Sequence, residues 1–204
     1  MKTAEEALRI LEEGNRRFVD GESMLVERID EVRRHELVAG QFPKAIILGC
    51  ADARVPVEVI FDQGLGDLFV IRIAGNIVAP SQIGSIEFAA KEFGTRLVVV
   101  LGHTNCGAVS ATLARLKQGT KGHTKNLLSI VDRIAPAIEP LIGGEYDTDP
   151  ETLLREAVSA NVRASVDQLR HGSPLLDELQ ESEGLVIVGA KYSLKRGVVD
   201  FLEH

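Results

Sequence analysis

The chain has 204 residues, of which 45% are hydrophobic and 26% are charged, and this composition is typical of a globular domain with a core of its own. The formal net charge of -7 argues against nucleic acid or an anionic membrane as a partner. No apolar run approaches membrane-spanning length, and the two cysteines do not make a disulfide framework. We expect one domain over residues 1–204 and a cytoplasmic location.

The N-terminal region is predicted to form a helical arm over about residues 1–39. Apolar residues recur at helical spacing over 3–19, and Thr3 with Glu6 fits a capping box at the start of this helix. A second helical stretch is predicted over 26–39, where a glycine ends the pattern. An arm of this length would suit wrapping around a neighbouring subunit.

Short apolar strands alternate with helices along the rest of the chain. Strands are predicted at 44–49, 67–73, 97–102 and 185–189, with an edge strand within 191–201; helices are predicted at 55–63, 81–93, 107–117, 124–142, 150–170 and 175–181. This alternation predicts an α/β fold with three layers, in which helices flank a mostly parallel sheet of about four to five strands. Open sheets of this kind place their functional sites at the carboxyl ends of strands.

Two short motifs with metal-ligand chemistry follow two of these strands. Cys50, Asp52 and Arg54 form a C-x-D-x-R motif after the first strand, and His103 and Cys106 form an H-x-x-C motif after the third. Thiolates, imidazole and carboxylate are ligands that zinc prefers, and four of them complete a tetrahedron. A free cysteine is often a small buried hydrophobe. Because both cysteines accompany an acid or a histidine at strand ends, we favour a metal site.

The spacing of the first motif leaves two partners open for its carboxylate. In an extended chain alternate side chains point to the same side, so Cys50, Asp52 and Arg54 would project together. Asp52 could then either bind the metal or pair with the guanidinium of Arg54.

At these residues the sequence resembles the β-class carbonic anhydrases, whose metal site combines a C-x-D-x-R motif with a later H-x-x-C motif. The close match covers about residues 41–113. The resemblance implies the reversible hydration of carbon dioxide to bicarbonate and a proton by zinc-bound hydroxide. It further implies one Zn²⁺ per subunit and a homodimer or higher homo-oligomer.

The resemblance also implies a role for each matching residue. Zinc would be bound by Cys50, His103 and Cys106, and the family's Asp–Arg dyad would be Asp52 and Arg54. In the active form Arg54 holds Asp52 off the metal, and a water takes the fourth position and donates a hydrogen bond to Asp52. The substrate site would include Gln41, Phe69 and Gly107, with Gln41 and Phe69 contributed across a subunit boundary.

The sequence differs from the usual family pattern at three positions, and two further residues belong to a pocket that one of these changes affects. Phe88 stands where many members have tyrosine, and Ala53 replaces the usual serine. Ile47 replaces the tryptophan of the family's bicarbonate-inhibited subtype, so the pocket that Arg72 and Tyr192 would complete lacks its indole. Without the family, Arg72 is simply a strand arginine, and Tyr192 is expected to pack at a sheet edge.

Other functions remain open at this stage. Relatives on this scaffold hydrolyse carbonyl sulfide or carbon disulfide, a closed four-ligand site would be structural, and two free thiols would suit a redox sensor. The histidines outside the motif, His35, His123 and His171, are expected on the surface. The chain end resembles the start of a vector-derived tag, so His204 receives no role.

Overall fold

The computed structural model of the chain describes residues 2–119 and 124–202 and contains a five-stranded sheet. The strands are β1 (Ala45–Gly49), β2 (Leu68–Arg72), β3 (Leu97–His103), β4 (Val186–Tyr192) and β5 (Val199–Phe201). Their order is β2-β1-β3-β4-β5, in which the first four run parallel and β5 is antiparallel to β4. The predicted α/β class with a mostly parallel sheet is confirmed.

Eight α-helices in the described ranges, with short 3-10 segments, connect and cover the strands. They are α1 (Ala4–Asp20), α2 (Glu31–Glu36), α3 (Val57–Ile60), α4 (Pro80–Glu92), α5 (Gly107–Gln118), α6 (Lys125–Ile138), α7 (Pro150–His171) and α8 (Pro174–Ser182). None of the helices in residues 2–119 and 124–202 is long and apolar enough to cross a membrane.

The central strands are apolar throughout because both faces of the sheet are covered. Every residue of β1 and β3 is buried. Alternate β1 residues serve opposite faces: Ala45 and Ile47 pack with α1 and α3, whereas Ile46 and Leu48 pack with α4, α7 and α8. This near-continuous burial is the pattern of parallel strands between two helical layers.

The first helix of the predicted N-terminal arm forms and packs into the core. The predicted capping box is present, since the side chains of Thr3 and Glu6 each accept a hydrogen bond from the other residue's backbone N–H. Ala7 and Leu11 are buried against the sheet face that also holds α3. The amide of Asn15 donates to two backbone carbonyls on that side of the sheet and accepts from Val199.

The second helix of the predicted arm does not form as one piece. The chain makes a 3-10 turn over Leu25–Arg28, begins α2 after Asp30, and makes another 3-10 turn over Leu37–Ala39. The break has a local cause: the Asp30 carboxylate accepts a hydrogen bond from the Arg33 N–H and caps a new helix. The prediction of one helix over 26–39 is therefore wrong.

The edge strand predicted within 191–201 forms as β5, but it begins only at Val199. Residues 191 and 192 extend β4, and the turn closes through hydrogen bonds from Gly197 N to Ser193 O and from Ser193 N to Val198 O. Tyr192 is therefore a buried residue of an interior strand and not of the sheet edge. His35 and His171 are exposed as expected, whereas the predictions for His123 and His204 lie outside the described residues.

The contact between α1 and α3 gives the first testable prediction. A Cβ on Gly14 would lie 1.8 Å from the carbonyl oxygen of Phe61. We expect Gly14→Ala to lower the free energy of unfolding by about 1–3 kcal/mol, because the helix must move away from the core. Chemical denaturation of the two proteins measures this difference.

The matched control lies in α4. A Cβ on Gly84 would meet no atom within 4 Å, so Gly84→Ala should leave stability unchanged or raise it by up to about 1 kcal/mol. Equal stabilities for the two variants would mean that α1 does not pack where the structure has it.

Candidate metal centre

The two motifs meet because their strands are parallel neighbours. β1 pairs with β3 so that Gly49 lies opposite Leu101, and both carboxyl ends therefore reach the same edge of the sheet. Cys50 follows β1 directly, His103 is the last residue of β3, and Cys106 immediately precedes the first turn of α5. Residues far apart in the sequence thus become adjacent side chains.

Three of the four side chains predicted as metal ligands form a buried cluster. The ligand atoms of Cys50, His103 and Cys106 lie within 4.8 Å of one another, and each residue is at most 4% exposed. Donors that share one zinc ion at about 2.0–2.3 Å lie at most about 4.6 Å apart. The cluster therefore has nearly the dimensions of a zinc site.

His103 supplies the observation that tests whether a metal fits. Its Nδ1 lies 2.9 Å from the Thr104 carbonyl oxygen, which assigns the ring proton to Nδ1. Its Nε2 is buried and has no hydrogen-bond partner among the described residues. A buried acceptor without a partner costs free energy, and a metal ion between Nε2 and the two thiols would remove that cost. The residues present therefore fit a metal ion.

The two neighbouring thiols shift each other's pKa in opposite directions. The contact with Cys106 lowers the pKa of the Cys50 thiol well below its usual range, and the neighbouring His103 ring and the Gly75 N–H, which donates at 3.3 Å, act in the same direction. The same contact with Cys50, together with burial, raises the pKa of Cys106. A divalent cation would allow both groups to be thiolates, as zinc ligation requires.

Asp52 lies beside the cluster but is turned toward Arg54. The Arg54 Nε and Nη2 donate to the two carboxylate oxygens at 2.9 and 2.7 Å, and the Arg54 backbone N–H adds a bond of 3.0 Å. The Arg54 guanidinium holds the pKa of Asp52 well below its usual range. Asp52 Oδ2 remains 3.7 Å from His103 Nε2. The sequence left Asp52 two possible partners, the metal and the Arg54 guanidinium. In the described structure Asp52 pairs with the guanidinium.

Arg54 also connects the two motifs. Its Nη2 donates to the carbonyl oxygen of Asn105 at 3.4 Å, so one guanidinium contacts both the loop after β1 and the loop after β3. Asn105 has a φ of 55°, in the left-handed region that few side chains adopt. The tight turn between His103 and Cys106 depends on this conformation.

Arg72 is a residue whose contribution the sequence reasoning missed. It ends β2 opposite Gly49, and its Nε donates to the Cys50 carbonyl oxygen at 3.0 Å while its Nη2 donates to that of Asp52. Arg72 thereby holds the backbone of the C-x-D-x-R loop. Its place at the carboxyl end of a strand was the signal that could have identified it.

Two predicted substrate-site residues lie away from the cluster within one chain. Gln41 precedes β1, and Phe69 of β2 lies opposite Ile46 near the start of β1. Cys50 follows the other end of β1, which spans about 16 Å. Phe69 packs with Phe88 and Phe93 at ring separations of 6.2 and 6.0 Å.

The third predicted substrate-site residue adjoins the cluster. Gly107 follows Cys106 directly, is exposed, and has open space where a Cβ would stand.

Comparisons of the sequence and of the fold with known proteins all find carbonic anhydrases. The sequence model of the family described as "Carbonic anhydrase" matches residues 45–199. Carbonic anhydrase 2 of Mycobacterium tuberculosis is 40% identical over 97% of this chain and 92% of its own length, and the carbonic anhydrase of Mycolicibacterium smegmatis is 38% identical over 97% and 93%.

Solved structures are similar over most of the fold. A β-carbonic anhydrase of Aspergillus fumigatus superposes with a TM-score of 0.75 at 25% identity, covering 83% of this chain and 80% of that one. One of the tetrameric β-carbonic anhydrases of Sordaria macrospora gives 0.74 at 25% identity, with 84% and 86% covered. The similarity therefore extends well beyond the two motifs.

Proposed function

Because the chain belongs to the β-class carbonic anhydrases, an enzyme family that hydrates carbon dioxide reversibly to bicarbonate and a proton, we propose that it does so with one zinc ion bound by Cys50, His103 and Cys106. The observation that carries the zinc proposal is the buried His103 Nε2, which has no protein partner in the described structure and lies beside two thiols. The comparisons give no support to carbonyl sulfide or carbon disulfide hydrolysis, or to a purely structural zinc site.

Bound zinc would act as a Lewis acid that lowers the pKa of water and makes hydroxide available near neutral pH. In this proposal the chain supplies the groups that orient the reactants. Asp52 stays ionised at neutral pH and can therefore only accept hydrogen bonds. A water beside the cluster would direct its proton at Asp52 and present a lone pair to the carbon of carbon dioxide.

Arg54 has two tasks in this proposal. It occupies both oxygens of Asp52, which keeps the carboxylate from turning to the cluster and leaves room for water. It also fixes the distance between the two motif loops through the Asn105 carbonyl. Arg72 supports both tasks because it holds the backbone on either side of Ala51.

Metal removal tests the proposed function directly. We expect stopped-flow carbon dioxide hydration to fall in proportion to zinc content as a strong chelator removes the metal, and to return when zinc is added back. The zinc content of each sample is measured alongside the rate. Full activity in protein that has lost its zinc would overturn the proposal.

A second copy of the chain would complete the substrate site. Gln41 and Phe69 lie at the amino ends of their strands, far from the cluster of their own chain, so a partner would have to bring its own pair there. The segment before β1 carries six exposed apolar side chains that could make such a contact, which together are called the apolar face here: Met24, Val26, Ile29, Val32, Val38 and Phe42. The tetrameric relatives from Sordaria macrospora support a homodimer or larger assembly.

Charges placed in that apolar face test the assembly. We expect the double variant Val38→Asp with Phe42→Asp to sediment as a monomer and to lose most hydration activity, because both residues are more than 80% exposed in one chain. Leu127→Asp, an exposed apolar residue of α6, is the control and should leave assembly unchanged. An unaltered protein that is fully active as a monomer would contradict the proposal.

A cytoplasmic location belongs to the same proposal. The thiols of Cys50 and Cys106 are free, and a reducing compartment would keep them available for zinc.

A further inference from the structure

A tight turn after β2 contacts Cys50 of the candidate metal centre. The turn comprises Ala74–Asn76, and its Gly75 N–H donates a hydrogen bond of 3.3 Å to Cys50 Sγ. Gly75 has a φ of +69°, and an added Cβ would lie 2.7 Å from Ile134 Cδ1. The left-handed conformation therefore favours glycine at this position, and any other residue would also displace the Ile134 side chain.

Two polar side chains of α7 hold this turn through hydrogen bonds to its backbone carbonyls. Asn161 Nδ2 donates to the Gly75 carbonyl oxygen at 2.8 Å, and Ser165 Oγ donates to the Asn76 carbonyl oxygen at 3.1 Å. Both side chains belong to residues that are 3% exposed. Their spacing of four residues places them on one face of α7, so the helix binds two consecutive peptide groups of the turn.

Asn161 and Ser165 hold the two peptide groups that follow the Gly75 N–H, and they thereby also fix the direction in which this N–H points. The Gly75 N–H can point at Cys50 only while the turn keeps its left-handed conformation, which Asn76 shares with a φ of 44°. Asn76 keeps a buried Nδ2 without a hydrogen-bond partner among the described residues. The turn is therefore held in this conformation at a cost that contacts from α7 must offset.

We propose that Asn161 and Ser165 are positioning residues of the zinc site, which act through the Gly75 peptide on the Cys50 thiolate; this inference rests on the proposed function. A hydrogen bond to a ligating thiolate withdraws electron density from the sulfur, and such outer contacts tune a metal site. A site with two thiolates is a weaker Lewis acid than one with neutral imidazoles, because the sulfurs donate more charge. The Gly75 N–H offsets part of that donation.

A purely structural role for these side chains predicts a different result. If Asn161 and Ser165 only satisfied buried carbonyl groups, their loss would lower stability and leave the bond between metal and sulfur unchanged. If they position the Gly75 N–H, their loss also changes the electron density on Cys50. A spectroscopic readout of that bond separates the two roles.

The test uses the protein with its metal exchanged for cobalt, whose thiolate charge-transfer band reports on the sulfur ligands. Asn161→Leu keeps a similar volume and removes the donor to Gly75. We expect the band to move to longer wavelength, because a thiolate without its hydrogen bond gives up charge more easily. Competition with a chelator should show zinc affinity lower by about 10- to 100-fold. Ser165→Ala should shift the band in the same direction by less.

The matched control is Ser159→Ala in the same helix. Ser159 is equally buried, but it donates to the Arg155 carbonyl and accepts from Lys191 without a hydrogen bond to the turn. Its band position and zinc affinity should equal those of the unaltered protein.

Each outcome decides the inference. An unchanged band and affinity in folded Asn161→Leu would overturn it; should that variant not fold, an unchanged band in Ser165→Ala would do so. A shift in Ser159→Ala as large as that in Asn161→Leu would also overturn it. Unaltered protein that binds neither zinc nor cobalt would instead refute the metal site itself.

Discussion

Cys50→Ser and Cys106→Ser are each expected to lose zinc and carbon dioxide hydration together. The serine hydroxyl ionises far less readily than a thiol and is a much poorer zinc ligand. The neighbouring Asp52 carboxylate is held through both of its oxygens by Arg54, so it is not free to replace the lost ligand. Because the loss of an outer-shell partner already costs about 10- to 100-fold in affinity or activity, loss of a direct ligand should exceed about a hundredfold.

Zinc per chain and the stopped-flow hydration rate are measured on the same samples of these variants. Thr112→Val is the control, since it removes a buried hydroxyl from α5 whose one hydrogen bond among residues 2–119 and 124–202 goes to the Ala108 carbonyl. That variant should keep its zinc and its rate. Full zinc occupancy in both cysteine variants would refute the ligand assignment, whatever their activity.

Arg54→Ala is expected to keep its zinc and to lose most of its hydration activity. Without the guanidinium, Asp52 retains only the backbone hydrogen bond to its Oδ1. Its Oδ2, already 3.7 Å from His103 Nε2, is then free to turn to the cluster and take the position meant for water. Misplacement of a reacting group by about 1 Å can cost about a hundredfold in rate, and we expect a loss of at least that size.

Protonation of Asp52 cannot account for this loss. The pKa of Asp52 is lowered in the structure by Arg54, so removing Arg54 raises it toward the ordinary value of about 3.9. At neutral pH the carboxylate remains ionised in both proteins. Any difference in activity per zinc at pH 7 therefore reports on where the carboxylate points and on the loop spacing that Arg54 fixes through Asn105, and not on the protonation of Asp52.

Asp52→Ala tests the other half of the pair. Zinc should remain on three ligands while the acceptor for the water proton is lost, so turnover should fall more than metal affinity. Arg196→Ala is the matched control, because the Arg196 side chain is about as exposed as that of Arg54 and forms a surface ion pair with Asp200 at 2.7 Å, and such pairs contribute little. Equal activity per bound zinc in Arg54→Ala and the unaltered protein would refute the dyad.

The α/β architecture was largely predictable from the sequence because its causes are local. Continuous apolar runs such as 97–102 specify strands that are buried on both faces, and the intervening helical patterns require parallel connections. Parallel strands bring their carboxyl ends to one edge, so the convergence of Cys50 with His103 and Cys106 follows from chain order. The β-class resemblance and the hydration activity rest on the same motifs.

Local patterns were less reliable for the N-terminal region. The helical periodicity of 26–39 is real, but the cap formed by Asp30 competes with it and no core contact holds the segment in one helix. The docking of α1 depends on the absence of a side chain at Gly14 and on the amide of Asn15, whose partners lie far along the chain. Periodicity carries no information about such partners.

Only the tertiary structure decided how the side chains around the cluster are used. The spacing of the C-x-D-x-R motif allowed Asp52 two partners, and the pairing with Arg54 depends on loop geometry. The contacts of Arg72 depend on strand register, and those of Asn161 with Gly75 join residues 86 positions apart. Helix and strand patterns arise from interactions over a few residues, whereas these hydrogen bonds exist only after the sheet has aligned its strands and α7 has packed against it.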